Sequence, residues 1–481
     1  MKRLYYFLTL FAGLTFSYNM YAQEKQATVF TLDQCIEYAL KNAVSAQNAT
    51  LDEEIAKAKV KETVGIGLPQ VAGNVSVDHN EKLRRFFGTY IANPQPEDFT
   101  FFPSGIADAQ DGDVLAAQSF FQLKSSGDAG LNINQIIFNG SYLVGLQASK
   151  AFKNLAYRNS TQTDEQIIQQ VTKAYYGVLI NKERTELFTS NIGRIDTLLR
   201  NTRAMVDNGF AEGIDADRIQ VALNNLTTER DKFMNLNELG IVLLKFQMNY
   251  PMDEPFEVSG NIQEVQVNAN VESYKENWDY KSRPDYQVLE ANKRLQELNI
   301  KNNYAQSLPS ISAFANLGYS TQSSNISGIF KTNSNASDDG FIGPDKWYGY
   351  SLFGVSLNMP IFTGLQRTYK IQQEKLTLQK INNGFTSLKS GIDLEIKQST
   401  VNFENALKSL TAQKQNMELA DKVARVTKIK YEQGVGSNLE VVDAEDSLRQ
   451  SQTNFYNALF DAMIAKVDLD KAYGKLTVTE K

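Results

Sequence analysis

Two side chains suited to metal or nucleophilic chemistry occur once each, His79 and Cys35. A lone imidazole with no neighbouring cysteine or carboxylate pair provides neither a metal cluster nor a catalytic triad. Cys35 follows Leu32 by one helical turn and reads as a small packed residue; with no second cysteine there is no internal disulfide. The remaining candidates are carboxylates beside glycine turns. The stretches 206-VDNGFAEGIDADRIQVAL-223 and 431-YEQGVGSNLEVVDAEDSL-448 align at an offset of 225, placing Gly209 on Gly434, Ile214 on Leu439, Asp215 on Glu440 and Leu223 on Leu448. Glu440 and Asp443 are three residues apart and so share a helix face. Two readings stand for these acids. They complement the positive end of a helix dipole, or, repeated by symmetry around an axis, they form acidic rings that favour cations in a narrow pore.

No motif asks for a cofactor or a metal, and enzymatic chemistry has little support. A net charge of −6 offers no basic footprint for nucleic acid.

The elements that must position the acids follow from the prolines, which fall at 69, 94, 96, 103, 251, 255, 284, 309, 344 and 360. Residues 104–250 and 361–481 are therefore open to very long helices. Ile168, Val171, Tyr175, Val178, Lys182, Thr185, Phe188, Ile192, Ile195, Leu199, Thr202 and Val206 step by threes and fours, a heptad seam with one short stammer. A helix from about 141 to 208 is roughly 100 Å long at 1.5 Å per residue. A second, from about 365 to 433, carries Phe403, Leu407, Leu410 and Met417 on its seam. Gly209 and Gly434 suit helix C-termini that need a left-handed residue.

The duplication extends to the whole chain. Thr31 to Gln34 spell a capping box opening a helix over 31–64, before Leu68-Pro69. A helix over 284–306 precedes Leu308-Pro309. Alternating segments follow, with strands predicted at about 70–79, 128–138, 310–320 and 349–360. LNINQIIFNG (131–140) and VSLNMPIFTG (355–364) close the hairpins, and Gly140 and Gly364 mark the strand-to-helix joints together with Pro69, Pro309 and Pro360. Helices over 215–249 and 440–473 complete the two copies, 23–250 and 284–481, joined by a connector over 251–283. Polar loops of about 50 and about 30 residues separate the strands of each pair. Residues 1–22 read as a secretory signal peptide: Lys2-Arg3, then an apolar run too short to span a bilayer, then Ala22.

Strands of nine or ten residues with one apolar and one polar face fit lipid outside and water inside. Phe86, Phe87, Phe120, Phe121, Trp347, Tyr348 and Tyr350 are expected in an interfacial aromatic belt. Four strands cannot close a membrane barrel, and open edges are not tolerated in lipid, so several copies must combine. Periodicity alone does not fix their number.

In the order of these parts (31-TLDQCIEYALKN-42, the two Leu-Pro strand entries, the paired returning strands and the 431–448 turn) the mature chain resembles the TolC-type outer-membrane efflux channels. The resemblance implies an all-α-dominated membrane protein, with long coiled coils joined to a twelve-stranded β-barrel built by a homotrimer, four strands per protomer. It implies the outer membrane of a Gram-negative bacterium, with the helical part in the periplasm. The partners implied are a periplasmic adaptor (membrane fusion) protein, an inner-membrane RND-type pump or ABC exporter, and outer-membrane lipid. Asp215, Tyr431, Glu440 and Asp443 match positions near the periplasmic gate, while Gly209, Gly213, Gly434 and Gly436 mark adaptor-docking tips. Gly436 stands where well-known relatives carry a gate-locking arginine. The alternative reading, an exported structural or adhesive coiled-coil surface protein, explains the heptads and the export but not the duplicated strand pairs.

Overall fold

The computed structural model describes residues 28–118, 122–260, 262, 271–276, 278–331, 333–335 and 346–476. The signal-peptide segment, part of the connector, and Phe120 and Phe121 lie outside the described residues. In chain order the elements are β1 (Thr28–Phe30), α1 (Leu32–Asn42), α2 (Val44–Ile66), β2 (Gln70–His79), β3 (Arg85–Thr89), β4 (Val114–Gln118), β5 (Ser125–Asn139) and α3 (Gly140–Asp207). There follow α4 (Gly213–Met248), β6 (Phe256–Val258), α5 (Val271–Lys275), α6 (Pro284–Ala305), β7 (Ser310–Ser323), α7 (Ile326–Ile329), β8 (Asn333–Asn335), β9 (Lys346–Asn358), α8 (Gln366–Glu432) and α9 (Asn438–Ala472). They form two compact units, each drawn from both halves of the sequence: Met1–Glu53, Leu155–Glu290 and Asn382–Lys481 in one, and Glu54–Asn154 and Ala291–Ile381 in the other.

The first unit is helical. Its core gathers Cys35, Val171, Tyr175, Val178, Leu244, Met248, Phe403, Met463 and Leu469, so the predicted seam of α3 faces its neighbours over most of its length. At Lys182 it does not: this side chain is exposed, while Leu179 and Ile180 are buried beside Val178. The helix is covered on more than one side there, because Gly240 and Gly260 bring other backbone close to Val178 and Tyr175.

The capping box at Thr31 is present in both directions: Gln34 N donates to Thr31 Oγ1 at 3.3 Å, and Thr31 N to Gln34 Oε1 at 2.9 Å. The helix expected over 31–64 is two helices, since Ala43 leaves the helical region at φ −58°, ψ 137°. The carbonyl of Asn42 exposed by the break accepts from Gln47 Nε2 at 3.2 Å and Asn249 Nδ2 at 3.0 Å, which replaces what the helix gave up. The connector holds β6, which pairs in parallel with β1, and the helix α5. Free alternation over three residues is too short to signal such a strand.

The second unit is built on the antiparallel order β2-β5-β7-β9, with β8 adding a short parallel bridge to the outer end of β9. Register puts Val71, Val75, Leu131, Ile133, Ala315, Leu317, Phe353, Val355 and Leu357 on one face. Asn74, Asp128, Asn132, Asn316, Ser312 and Ser356 lie on the other, interrupted by Phe314 and Leu352. Polar side chains bridge across that second face: Asn74 Nδ2 donates to Asp128 Oδ1 (2.7 Å), and Asn132 Nδ2 to Asn74 Oδ1 (3.0 Å). Among the described residues no core covers the part of the apolar face where Val71, Val75, Phe353, Val355 and Leu357 stand exposed. Tyr348 and Tyr350 lie on the polar face, so they are not part of the expected belt. Tyr350 donates to Asp128 Oδ2 at 2.9 Å.

The first long loop is not merely polar connection. Beyond β2 and β5, β3 and β4 pair to make a lobe around buried Tyr90 and Phe102, with Phe86 packed against Phe101 and Phe102. Tyr90 Oη accepts from the backbone N–H of Gly105 and Ile106 (2.8 and 3.1 Å). The aromatics expected to face lipid are partly spent on this small core.

Pro69 and Pro309 each stand one residue before a strand, where the missing N–H ends the preceding helix. The glycine joints differ in their reasons. A Cβ on Gly140 would lie 2.8 Å from Leu308 Cδ1 and 3.1 Å from the Ala305 carbonyl, so glycine is there for space. Gly364 has nothing within 4 Å but takes φ +61°, followed by Leu365 at +63°, so it is there for conformation. β9 stops at Asn358 rather than at 360, and Pro360 falls in the irregular stretch before α8. Gly140→Val is expected to cost about 1–3 kcal/mol by overpacking. The check is thermal unfolding of the purified protein, with Gly145→Val, whose site is open, as the control that leaves Tm unchanged.

Candidate functional site

The two helix–turn–helix ends of the helical unit carry the predicted gate and tip residues. Each long helix closes in a Schellman motif. Gly209 (φ +76°) donates to Val206 O at 3.0 Å and Phe210 to Met205 O at 2.8 Å; Gly434 (φ +74°) donates to Tyr431 O at 2.9 Å and Val435 to Lys430 O at 3.0 Å. The apolar residue after each glycine ordinarily packs back on its helix. Here Phe210 and Val435 stand 80% and 77% exposed, with Ile214 and Leu439 also exposed beside them.

α4 and α9 begin two residues earlier than predicted, because the caps are Glu212 and Ser437. Ser437 Oγ accepts from Glu440 N at 3.2 Å, whereas Glu212 makes no side-chain cap. Asp215 and Glu440 thus occupy the third helical position, where a carboxylate suits the dipole. Gly213 opens α4 with nothing within 4 Å. Gly436 is tight: a Cβ would meet Tyr431 N at 3.2 Å and Lys430 Cβ at 3.3 Å. A longer side chain at that position needs the end of α8 to give way.

The turns are tied to each other. Asn438, buried, donates from Nδ2 to the Asp215 carbonyl at 3.2 Å. Tyr431 packs against the apolar cluster of Phe188, Ile195, Leu199, Ile219 and Val441, its hydroxyl 3.5 Å from both buried Thr202 Oγ1 and Met205 Sδ. Asp215 pairs with Arg218 at 3.8 Å. Glu440 and Asp443 are exposed and form no ion pair among the described residues.

Asp443 borders a groove of about 670 Å³ whose wall includes Asp217, Arg218, Glu229, Asp446 and Arg449; Glu440 is not part of that wall. The structure therefore gathers Asp215, Tyr431 and the four glycines around two linked turns, with Glu440 and Asp443 both exposed in the first turns of α9. Arg194 and Glu445, an ion pair at 3.3 Å that joins α3 to α9, escaped sequence reading. The run Asp443-Ala444-Glu445-Asp446 was the available signal, and only register within the bundle decides which of its acids meets an arginine.

The fold has counterparts. Residues 280–475 match the family described as Outer membrane efflux protein. The outer membrane protein TolC of Vibrio cholerae serotype O1 is 19% identical over 353 residues, covering 73% of this chain and 77% of that one. The outer membrane efflux protein BepC of Brucella suis biovar 1 is 21% identical over 369 residues, with 74% of each covered. The open state of the Neisseria gonorrhoeae MtrE outer membrane channel superposes with a TM-score of 0.66 at 18% identity, over 93% of this chain and 89% of that one. An exposed apolar sheet face, its polar reverse and two Schellman-closed helical hairpins thus coincide with similarity to outer membrane efflux proteins along most of the chain.

Proposed function

We propose that this outer-membrane protein is the channel of a tripartite export system, passively conducting substrates delivered by a periplasmic adaptor and an inner-membrane RND-type pump or ABC exporter. The observation that carries the reading is the four-stranded sheet: one face apolar and exposed, the other polar and hydrogen-bonded, with β2 and most of β9 unpaired at its edges among the described residues. Unpaired strand edges are costly in lipid and require neighbouring copies. A homotrimer supplies twelve strands, and Asn- and Ser-rich faces then line water. Among the described residues no helix is long and apolar enough to cross a membrane, so the sheet is the element for that role.

The exposed Phe210, Ile214, Val435 and Leu439 suit docking of an adaptor around Gly209, Gly213, Gly434 and Gly436. Closure near Tyr431 rests on packing and the Asn438 tie rather than on an arginine at 436. Single-channel recording in planar bilayers tests the function: an assembled oligomer without conductance would leave the surface-coiled-coil reading in its place. The acidic-ring role of Glu440 and Asp443, with Asp215 nearby, has its own test. Glu440→Gln with Asp443→Asn is expected to reduce cation preference and weaken block by divalent ions. Unchanged selectivity would return these residues to the role of helix-start acids.

A further inference from the structure

The outer end of the apolar sheet face poses a problem of chemistry. Register continues that face upward through Val77, Gly127 and Thr321 to His79, Ser125 and Ser323. Hydroxyls and an imidazole are poor neighbours for hydrocarbon. Yet Ser125, Thr321 and Ser323 are 0%, 4% and 7% exposed, on the same face where Val75 and Val355 are open. What covers them is the segment 324–331, which returns from β7 over the face instead of rising away from it. Ile329 is buried against the sheet, and a Cβ on Gly127 would lie 3.0 Å from its Cγ2 and 2.7 Å from Trp347 Cη2. Trp347 Nε1 donates to the Ile329 carbonyl at 3.2 Å, Thr321 Oγ1 to the Lys346 carbonyl at 2.8 Å, and His79 Nδ1 lies 2.8 Å from Ser125 Oγ. Asn325 fixes the turn, its Oδ1 accepting from Gly328 N at 2.9 Å.

The flap therefore carries the boundary of the apolar face on its own outer surface. There Ile326 and Phe330 are exposed, Phe330 to 76%, and Lys331 follows. Two tyrosines expected in the belt point to the polar face and Trp347 is hydrogen-bonded to the flap, while Tyr319 stands exposed on the apolar face just inside it. We propose that residues 324–331 form a re-entrant collar seated in the outer leaflet, with Ile326 and Phe330 against lipid and Lys331 at the level of the lipid phosphates. The occupant is lipid because this surface continues the face that the channel reading places in the membrane; the inference rests on that reading.

Nitroxide labels at Phe330→Cys, Val355→Cys and Val435→Cys test it in the full chain, reconstituted in phosphatidylethanolamine–phosphatidylglycerol vesicles with and without lipopolysaccharide. All three sites are exposed, so folding is spared, and native Cys35 is fully buried and stays unlabelled. The expected result is greater accessibility to oxygen than to a water-soluble nickel chelate at 330 and 355, and the reverse at 435. If 330 follows 435 while 355 keeps its lipid signature, the collar falls and the channel reading stands. If 355 also favours nickel, the lipid-facing sheet itself is wrong. Spin–spin broadening at 330, with little access to either reagent, would show the flap packed on a neighbouring copy and overturn the proposal.

Discussion

Arg283→Met is expected to destabilise the helical unit by about 1–3 kcal/mol, the cost of leaving partly buried acceptors without their donor. The guanidinium is 4% exposed. It makes a two-point contact with Asp285 (Nε to Oδ1 3.2 Å, Nη2 to Oδ2 2.9 Å) and reaches Glu395 Oε2 at 2.9 Å. Its other nitrogen donates to the carbonyls of Lys471 and Ala472 at 3.0 and 3.2 Å, satisfying the last turn of α9. Burial works against this charge, but Asp285, Glu395 and Glu165 more than offset it and hold the guanidinium above its usual range. One side chain thus ties the start of α6, the middle of α8 and the end of α9. The backbone approach at the same place needs glycine: Gly474 takes φ +67°, and a Cβ there would lie 2.5 Å from the Ser282 carbonyl. Denaturant unfolding of the purified protein measures the loss. Arg283→Met combined with Asp285→Asn and Glu395→Gln is expected to recover part of it, because the penalty is mostly that of unpaired carboxylates. Equal stability of Arg283→Met and wild type would mean that the cluster is solvated in the assembled protein.

The contrast between Arg283 and Gly209 explains how much of this molecule could be read from its sequence. Absence of proline, a heptad seam and a glycine at the end of each run are local signals, and they locate the long helices and their Schellman closures. Alternation over ten residues is local as well, and it assigns Val75 and Asn74 to opposite faces. Arg283 sits in a connector beside a proline, and its partner Glu395 lies 112 residues away, so nothing local marks it as the centre of an ion cluster. The break at Ala43 escapes for the same reason: the amide that satisfies Asn42 belongs to Asn249. Within the candidate site, the helix-ending roles of Gly209 and Gly434 were legible, whereas the packing of Tyr431 against Phe188 and Leu199 depends on which helices flank α8. The flap was hidden by composition. Ser323-Ser324-Asn325 reads as polar loop, and only the register of β7 shows that its serine lies on the apolar face.

Glu165→Gln is expected to stabilise the protein above pH 7 and to flatten its dependence on pH. Glu165 is 4% exposed, and its Oε1 has no hydrogen-bond partner among the described residues. Burial pushes its carboxyl from an ordinary value of 4.5 up to about 7; Arg283 and Lys471 oppose the rise, while Asp285 and Glu395 add to it. A carboxyl that holds its proton more tightly in the folded state favours folding at low pH. Between about 4.5 and 7 the unfolded chain releases that proton first, so stability falls as pH rises, and the full penalty of about 3 kcal/mol is present above 7. Glutamine keeps the shape and has no charge to bury, so the variant lacks this slope. Asp164, pushed up to about 6 by burial and by Glu53, contributes in the same direction at lower pH. Asp164→Asn should therefore flatten the range below 6 and leave the range from 6 to 7 intact. Tm measured from pH 5 to 8 separates the two, and a wild-type curve indistinguishable from that of Glu165→Gln would place Glu165 in water. The double variant Arg283→Met, Glu165→Gln sharpens the case. If the two groups share one field, Glu165→Gln stabilises more in the Arg283→Met background than in the wild type, and the double variant departs from the sum of the two single effects.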